Sequence, residues 1–179
     1  PGSVAQARVH AGGLAHLCGV GYASGRPDPG FPMVMKVPRM AAGDGAENIV
    51  GFEVEQTVLQ AVAGPPVPPF AAAGDLARLP FLVMEYVPGR TLQQWIDEAR
   101  STRAPVPVAD IARLGHAVAQ AVHSLHQQNA VHLDLKPANV VIRPDRQAVL
   151  LDFGLSWLAH QPDLLAEELR PAVGSPAWM

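Results

Sequence analysis

Only one of the 179 residues is cysteine, and charged residues make up only 16% of the chain. The single thiol, Cys18, excludes an internal disulfide and is typical of a protein from a reducing compartment, so we expect a cytoplasmic location. The formal net charge of −3 includes no large basic excess, so neither nucleic acid nor an anionic membrane is expected as a partner. No apolar run reaches the roughly eighteen residues that a membrane-spanning helix needs.

Apolar residues are nevertheless abundant, at 49% of the chain, which predicts a globular domain with its own core rather than a disordered segment. Neither end is typical of a natural terminus. The chain begins at Pro1 without a basic-then-apolar leader and ends in GSPAWM, so we expect a fragment of a longer protein.

Hydrophobic periodicity divides the chain into two parts that meet near Val87-Pro88-Gly89. The first part is expected to hold strands and one helix, and the second part is expected to be mainly helical, which together predict an α+β fold. The expected strands are 31–37 and 79–87, and the expected helices are 46–62, 91–99 and 110–128.

Breaking and capping residues support these bounds. GPPVPPF, residues 64–70, ends the first helix because proline cannot continue it. Thr91 and Asp110 are the predicted N-caps of the second and third helices, since their side-chain oxygens can accept a hydrogen bond from the first turn.

The stretch HLDLKPANV, residues 132–140, gathers four polar residue types between a predicted helix and a predicted strand. Two short strands follow, NVVI and QAVLL, joined by RPDR, whose Pro-Asp pair is typical of a tight turn. Asn139 precedes this hairpin and Asp152 follows it, so antiparallel pairing brings the two side chains together beside Asp134. Amide and carboxylate oxygens suit Mg²⁺, so we expect a magnesium site rather than two strand caps.

A buried ion pair is predicted in the first part of the chain. On a helix over 46–62, Glu55 shares its face with four apolar residues, Phe52, Val58, Leu59 and Val62. Lys36 is the one charged residue in the apolar strand FPMVMKV. Because a buried charge is costly unless paired, we expect Lys36 and Glu55 to pair, with the ammonium group directed at an anion. The alternative is an edge strand that leaves Lys36 in solvent.

Lys36, Glu55, HLDLKPAN and DFG (152–154), in this order, resemble the signature set of the protein kinases, and most closely the bacterial Ser/Thr kinases of eukaryotic type. MEYVPGRTL resembles the hinge of that family, and VGSPAWM resembles the segment before its Ala-Pro-Glu element. The resemblance implies two lobes: an N-lobe over 1–87 with an antiparallel sheet and one helix, and an incomplete, mainly helical C-lobe over 88–179. It implies ATP and Mg²⁺ as cofactors and a protein Ser or Thr hydroxyl as the phosphate acceptor.

The resemblance also implies roles for the polar residues. Asp134 would accept the proton of the substrate hydroxyl, and Lys136 would neutralise charge on the transferred phosphoryl group. Asn139 and Asp152 would hold the magnesium ions. His132 is expected to be a structural hydrogen-bonding residue beneath the loop.

The nucleotide contacts follow from the same resemblance. Lys36, oriented by Glu55, would bind the inner phosphates. Backbone groups of Glu85 and Val87 would bond the adenine beside Met84, and Val34 and Val141 would enclose its ring.

Two departures from the family pattern affect these expectations. HAGGLAHL, residues 10–17, retains only Gly12 of the family's three loop glycines, with Gly13 beside it. This pair still permits backbone N–H groups to cover phosphates, although an ordinary tight turn is the alternative. Leu133 replaces the arginine that reads a phosphate on the activation loop, so we expect activity that does not require phosphorylation there.

Two other functions remain open. A pseudokinase, which would be a nucleotide-binding or scaffolding module, is favoured by the poor glycine loop and opposed by the complete set of polar site residues. A small-molecule phosphotransferase of the aminoglycoside or choline type shares H-x-D-x-x-x-x-N. The Leu-Lys-Pro within that loop and the Phe-Gly after Asp152 favour a protein substrate instead.

Other notable residues are expected to have no role in a site. His116, His123 and His126 lie on one predicted helix. His123 and His126 are three residues apart, but no third metal ligand is spaced to join them, so the histidines are expected on the solvated surface of the helix. The three tryptophans, Trp95, Trp157 and Trp178, are expected to be packing residues. The apolar face of the 110–128 helix is expected to lack part of its cover, because the remaining helices of the lobe are absent.

Overall fold

The computed structural model describes residues 10–12, 15–20, 29–38, 47–76, 78–103, 105–163 and 165. Gly13, Trp178 and the segment VGSPAWM, on which several predictions rest, lie outside these ranges.

The first part of the chain forms a five-stranded antiparallel sheet in the order β1-β2-β3-β5-β4. Its strands are β1 (His10–Gly12), β2 (Ala15–Val20), β3 (Met33–Pro38), β4 (Phe70–Ala73) and β5 (Leu82–Glu85). Lys36 pairs with Leu17 on one side and with Leu82 on the other, so it lies inside the sheet. The edge-strand alternative for Lys36 is therefore wrong.

One helix, α1 (Glu47–Ala61), accompanies this sheet, in agreement with the helix predicted over 46–62. Phe52, Val58 and Leu59 are buried, so the predicted apolar face is the one that packs inward. The helix stops before Gly64, whose φ of +96° places it in the left-handed region, where glycine is favoured.

The described residues of the second part form two helices, α2 (Leu92–Thr102) and α3 (Val108–His126). They also form two small sheets, β6 (Arg90–Thr91) with β8 (Val140–Ile142) and β9 (Ala148–Leu150), and β7 (Ala130–Val131) with β10 (Trp157–Leu158). The β8–β9 hairpin confirms the prediction from NVVI and QAVLL. The other small strands are only two residues long, which is too short for a periodic signal.

Thr91 caps α2 as predicted. Its hydroxyl accepts a hydrogen bond from the Gln94 N–H at 3.1 Å, and the Gln94 side chain accepts one from the Thr91 N–H at 2.9 Å. This reciprocal arrangement satisfies two backbone donors at the start of the helix.

The prediction that Asp110 caps α3 is wrong. Pro107 is the N-cap, and its carbonyl accepts the Asp110 N–H at 2.9 Å and the Ile111 N–H at 3.2 Å. Asp110 lies within the first turn instead, where a carboxylate interacts favourably with the helix dipole and pairs with Arg113 at 2.6 Å.

The larger apolar core of the described residues joins both parts of the chain. It includes Leu59 of α1, Leu82 of β5, Leu125 of α3, Leu150 of β9 and Phe153, each 2% exposed or less. The C-terminal end of α1 is also tied to α3, because Gln128 exchanges two hydrogen bonds of 2.9 Å with the backbone of Ala63. The relative position of α1 and α3 is therefore set at that end by directed bonds as well as by packing.

Two of the tryptophans lie outside this core and are partly exposed. Trp95 is 41% exposed and Trp157 is 39% exposed. Trp95 contacts the Arg90 guanidinium instead, with 4.9 Å between the cation and the ring centroid.

An apolar groove of about 1200 Å³ lies between α2 and α3, lined by Trp95, Ile111 and Val118 among others. Ile111 is 56% exposed, which agrees with the expectation of an incompletely covered helix face. Within the part of the chain that the structure describes, no helix is both long and apolar enough to cross a lipid bilayer.

Candidate active site

The ammonium group of Lys36 lies between two carboxylates. Its Nζ is 2.5 Å from Glu55 Oε2 and 2.9 Å from Asp152 Oδ1. The Glu55 side chain is 2% exposed, whereas that of Asp152 is 50% exposed. The cluster of three charges is therefore closed to solvent on the side of Glu55 and open to solvent on the side of Asp152. The predicted pairing of Lys36 with Glu55 is confirmed. The contact with Asp152, across 116 residues of chain, has no signal in the sequence.

The ionisation of these groups follows from their surroundings. Burial by itself lowers the pKa of Lys36, but the carboxylates of Glu55 and Asp152 outweigh it and raise that pKa above its ordinary value. Burial raises the pKa of Glu55, and the charge of Lys36 opposes this shift. Partial burial would raise the pKa of Asp152, but the ammonium of Lys36 lowers it below its ordinary value. At neutral pH the open side of the site therefore presents a protonated lysine and an ionised aspartate.

The loop over 132–139 forms a second polar cluster around Asp134, which is 9% exposed. Lys136 Nζ lies 2.6 Å from Asp134 Oδ2. Asn139, at the end of the 3₁₀ turn Pro137–Asn139, donates its Nδ2–H to the Asp134 carbonyl at 3.0 Å and to Asp134 Oδ2 at 3.2 Å. Because Nδ2 faces Asp134, the amide oxygen is the Asn139 atom that can face a cation.

The β8–β9 hairpin brings the two predicted metal ligands to one end, as expected. Val140 pairs with Leu150, and the Leu151 N–H donates to the Asn139 carbonyl at 2.8 Å. Asn139 therefore precedes the hairpin directly opposite the segment that leads into Asp152. Among the described residues no three carboxylate, imidazole or thiolate side chains converge on one point. A pair of hard oxygen donors fits Mg²⁺, which completes its shell with water and phosphate oxygens.

His132 connects the two clusters. Its Nε2–H donates to the Leu151 carbonyl at 3.0 Å, and its Nδ1 accepts the Asp134 N–H at 3.3 Å. Burial lowers the pKa of His132, so the imidazole is neutral at pH 7, with its proton on Nε2. Its ring also contacts Phe153, with 5.0 Å between the centroids. The predicted structural role of His132 is confirmed.

Two residues of the site have unusual backbone conformations. Leu133 has a φ of +60° and Asp152 a φ of +65°, in the left-handed region that disfavours residues with a Cβ. Strain of this kind persists where the surrounding structure imposes it, and it occurs often at functional sites. Aspartate adopts this region more readily than most residues, whereas leucine rarely does, so the sequence contained no signal for the conformation of Leu133.

The predicted adenine contacts lie where β5 leaves the five-stranded sheet. Val34 pairs with Met84 across β3 and β5, and Val87 packs with Val141 in a small apolar cluster. Among the described residues, the Val87 N–H makes no backbone hydrogen bond. An adenine could therefore use this donor.

Two other predicted nucleotide contacts are constrained by the fold. The Glu85 N–H is already bonded to the Pro69 carbonyl at 3.0 Å, so its carbonyl is the backbone group that could accept from a base. Gly12 pairs with Ala15 at the turn end of the β1–β2 hairpin. Its neighbour Gly13 lies outside the described residues.

Sequence reasoning missed an ion pair at the hinge. Both Nη atoms of Arg143 bind the carboxylate of Glu85, with 2.7 Å between Nη1 and Oε1. The pair raises the pKa of Arg143 above its ordinary value. The available signal was Glu85 itself, a charged residue in an otherwise apolar strand, but its partner 58 residues later could not be chosen without the fold.

Comparison with known proteins adds an independent result. Residues 46–179 match the family described as the protein kinase domain. The chain is 31% identical to the serine/threonine-protein kinase AfsK of Streptomyces griseus over 172 residues, which are 96% of this chain and 20% of that protein. It is also 29% identical to the serine/threonine-protein kinase PkaA of Streptomyces coelicolor over 154 residues, which are 84% of this chain and 27% of that protein.

A relative from another kingdom extends the range of similarity. The chain is 32% identical to the citron rho-interacting kinase of Rattus norvegicus over 149 residues, which are 81% of this chain and 7% of that protein. The chain thus spans about a fifth of the length of the AfsK relative and less of the rat relative.

Proposed function

The chain belongs to the protein kinase domain family, and from this premise we propose that it transfers the γ-phosphate of MgATP to a serine or threonine hydroxyl of a protein. The observation that carries the proposal is the position of Lys36, whose ammonium contacts Glu55 and Asp152 at once. Three distant segments of chain thereby present one cation and one ionised, half-exposed carboxylate to the same open side. This combination suits a magnesium-bound polyphosphate.

In this proposal the residues of the loop perform the transfer. Asp134 accepts the proton of the acceptor hydroxyl and aligns its oxygen with the phosphoryl group. Lys136, whose Nζ already lies 2.6 Å from that carboxylate, offsets the negative charge that develops on the transferred group. Asn139 and Asp152 would hold Mg²⁺, which would neutralise part of the charge of the phosphates.

The nucleotide lies between the two parts of the chain in this proposal, with residues 1–87 and 88–179 as its two lobes. Lys36, oriented by Glu55, binds the inner phosphates. The Glu85 carbonyl and the Val87 N–H bond the adenine. Valines from both lobes enclose the ring, namely Val34 and Val141, and Gly12 with Gly13 covers the phosphates.

A protein is the proposed acceptor rather than an amino-sugar. The loop carries Leu-Lys-Pro between Asp134 and Asn139, and the relatives over most of the chain are named serine/threonine-protein kinases. Since those relatives are bacterial and ATP is supplied in the cytoplasm, we propose a bacterial signalling enzyme that acts there.

The decisive experiment is labelled-phosphate transfer from MgATP by the intact protein and by its Asp134→Asn variant. Removal of the general base is expected to reduce the rate roughly 10²–10⁴-fold. The affinity for MgATP should change little, because the proposed nucleotide contacts are on other residues. A generic protein substrate and a panel of amino-sugars should be tested side by side.

The matched control is Asp97→Asn, on the exposed surface of α2, which should transfer phosphate at the wild-type rate. If Asp134→Asn is as fast as wild type, the role of Asp134 is wrong. Transfer to amino-sugars alone would contradict the proposed acceptor. Tight binding of MgATP without any transfer would indicate a pseudokinase.

A further inference from the structure

The backbone of Gly51, within the first half of α1, lies against the backbone of Gly154. A Cβ at position 51 would lie 3.2 Å from the Gly154 carbonyl oxygen, and a Cβ at position 154 would lie 3.3 Å from the Gly51 carbonyl oxygen. Both distances are shorter than ordinary van der Waals contact. The obstructing atoms are main chain, so they cannot rotate away as a flexible side chain could.

Each of the two glycines lies within a few residues of a carboxylate that contacts Lys36. Gly51 lies four residues before Glu55 and therefore on the same face of the helix. Gly154 lies two residues after Asp152. The two carboxylates that contact Lys36 are thus carried by the two segments that meet at the glycines.

Neither segment can easily yield to an added methyl group. The C-terminal end of α1 is held by the two hydrogen bonds between Ala63 and Gln128. On the other side, Phe153 is fully buried and contacts the His132 ring. A side chain at position 51 would therefore displace the part of α1 around it, including Glu55 one turn later.

We propose that Gly51 is a positioning residue: its lack of a side chain sets the approach of α1 to segment 152–154 and so keeps Glu55 and Asp152 together on Lys36. The functional part of this inference rests on the proposed kinase activity, because the measurable consequence is a change in how MgATP is bound and used.

The chain contains a matched control for this inference. Gly115 also lies within a helix, α3, but a Cβ at that position would have no heavy atom within 4 Å. Alanine stabilises a helix relative to glycine, so a role in helix propensity alone predicts that both Gly51→Ala and Gly115→Ala stabilise the protein without loss of function. The positioning role predicts a loss of function in Gly51→Ala and wild-type function in Gly115→Ala.

The first measurement compares kcat and KM for MgATP in the intact protein and the two variants. Gly51→Ala should lower kcat/KM roughly tenfold or more, since small misplacements of catalytic groups can cost up to about 10²-fold. Gly115→Ala should behave as wild type. Wild-type kinetics in Gly51→Ala would overturn the inference while leaving the proposed function intact.

The second measurement is a double-mutant cycle with Glu55→Gln. If Gly51 acts through Glu55, adding Gly51→Ala to Glu55→Gln should lower kcat/KM by less than about twofold, because the two changes remove the same interaction. A general packing defect would lower kcat/KM by the same factor in the wild-type protein and in Glu55→Gln. An unchanged tenfold loss in the Glu55→Gln background would therefore also overturn the inference.

A third measurement does not depend on catalysis. Hydrogen exchange of the amides in 152–156 should be faster in Gly51→Ala than in Gly115→Ala, because the contact that holds this segment is disturbed. If the wild-type protein transfers no phosphate, the proposed function fails and this measurement alone decides the inference: equal exchange in the two variants refutes it. If Gly51→Ala does not fold, all measurements are repeated in the Gly115→Ala background, whose more stable helix supports folding.

Discussion

Lys36 is the residue on which separate parts of the chain converge. A buried salt bridge seldom adds net stability, because the loss of hydration of both charges offsets their attraction. Lys36 has two such partners, Glu55 and Asp152, and one of these partners is half exposed. The arrangement therefore makes more sense as the preparation of a cation for an anionic ligand than as a device for folding.

The buried, neutral imidazole of His132 predicts that the stability of the protein decreases in acid. Burial lowers the folded pKa of His132 below the unfolded value of about 6.5. As the pH falls below about 6.5, the unfolded chain binds a proton that the folded chain does not, so the free energy of unfolding decreases. The urea midpoint should fall between about pH 7.5 and pH 5, and His132→Asn should flatten this part of the decline.

Three charged groups surround His132, namely Asp134, Lys136 and Asp152. The comparison must therefore use the slope of the urea midpoint against pH rather than the midpoint at a single pH. The same substitution at His116, on the exposed surface of α3, controls for the loss of a histidine as such. An identical slope in wild type and His132→Asn would show that the imidazole does not cause the acid sensitivity.

At the scale of elements, the segment that follows Asp152 offers few hydroxyl groups that could be phosphorylated. Leu133, in the neighbouring loop, is 42% exposed and cannot pair with a phosphate. Ser156 is 3% exposed and donates its hydroxyl to the His132 carbonyl at 3.1 Å, so a kinase could not reach it in the folded state. The remaining hydroxyl of the segment 152–179, Ser175, lies outside the described residues.

We therefore expect activity that does not depend on phosphorylation of this segment. Treatment of the purified protein with a phosphatase should leave its rate of phosphate transfer unchanged within about twofold, because Leu133 cannot form an ion pair with a phosphate on this segment. The phosphate content should be measured before and after treatment, with a heat-inactivated phosphatase as the control. A large loss of activity after dephosphorylation would contradict the prediction.

At the scale of the whole molecule, the pair of Glu85 and Arg143 joins the five-stranded sheet to the sheet that carries the β8–β9 hairpin. Glu85 ends β5 at the predicted hinge, and Arg143 follows β8. We expect this pair to hold the proposed adenine contacts and the proposed metal ligands in register.

Arg143→Gln should destabilise the protein by about 3 kcal/mol, because it leaves the buried Glu85 carboxylate without its partner. The double variant Arg143→Gln/Glu85→Gln should recover part of this loss. Arg113→Gln is the control, since its pair with Asp110 has 60% and 47% of the two side chains exposed and should contribute under about 1 kcal/mol. Equal urea midpoints for Arg143→Gln and Arg113→Gln would rule out a structural role for the hinge pair.

Comparison of prediction and structure shows which features could be foreseen. The helix over 46–62 and its inward face were predicted because apolar residues repeat there with the period of a helix. The β8–β9 hairpin was predicted because turn residues separate two apolar runs. The same local logic failed at Asp110, where an equally local competitor, Pro107, takes the capping position.

The sequence by itself determined the residue types of the site and the local elements that carry them, because hydrophobic period, capping and turn chemistry act over a few neighbouring residues. Only the tertiary structure decided that Asp152 also contacts Lys36, that Glu85 pairs with Arg143 and that Gly51 lies against Gly154. Such partners are dozens of residues apart, and which atoms meet depends on how whole elements pack in three dimensions.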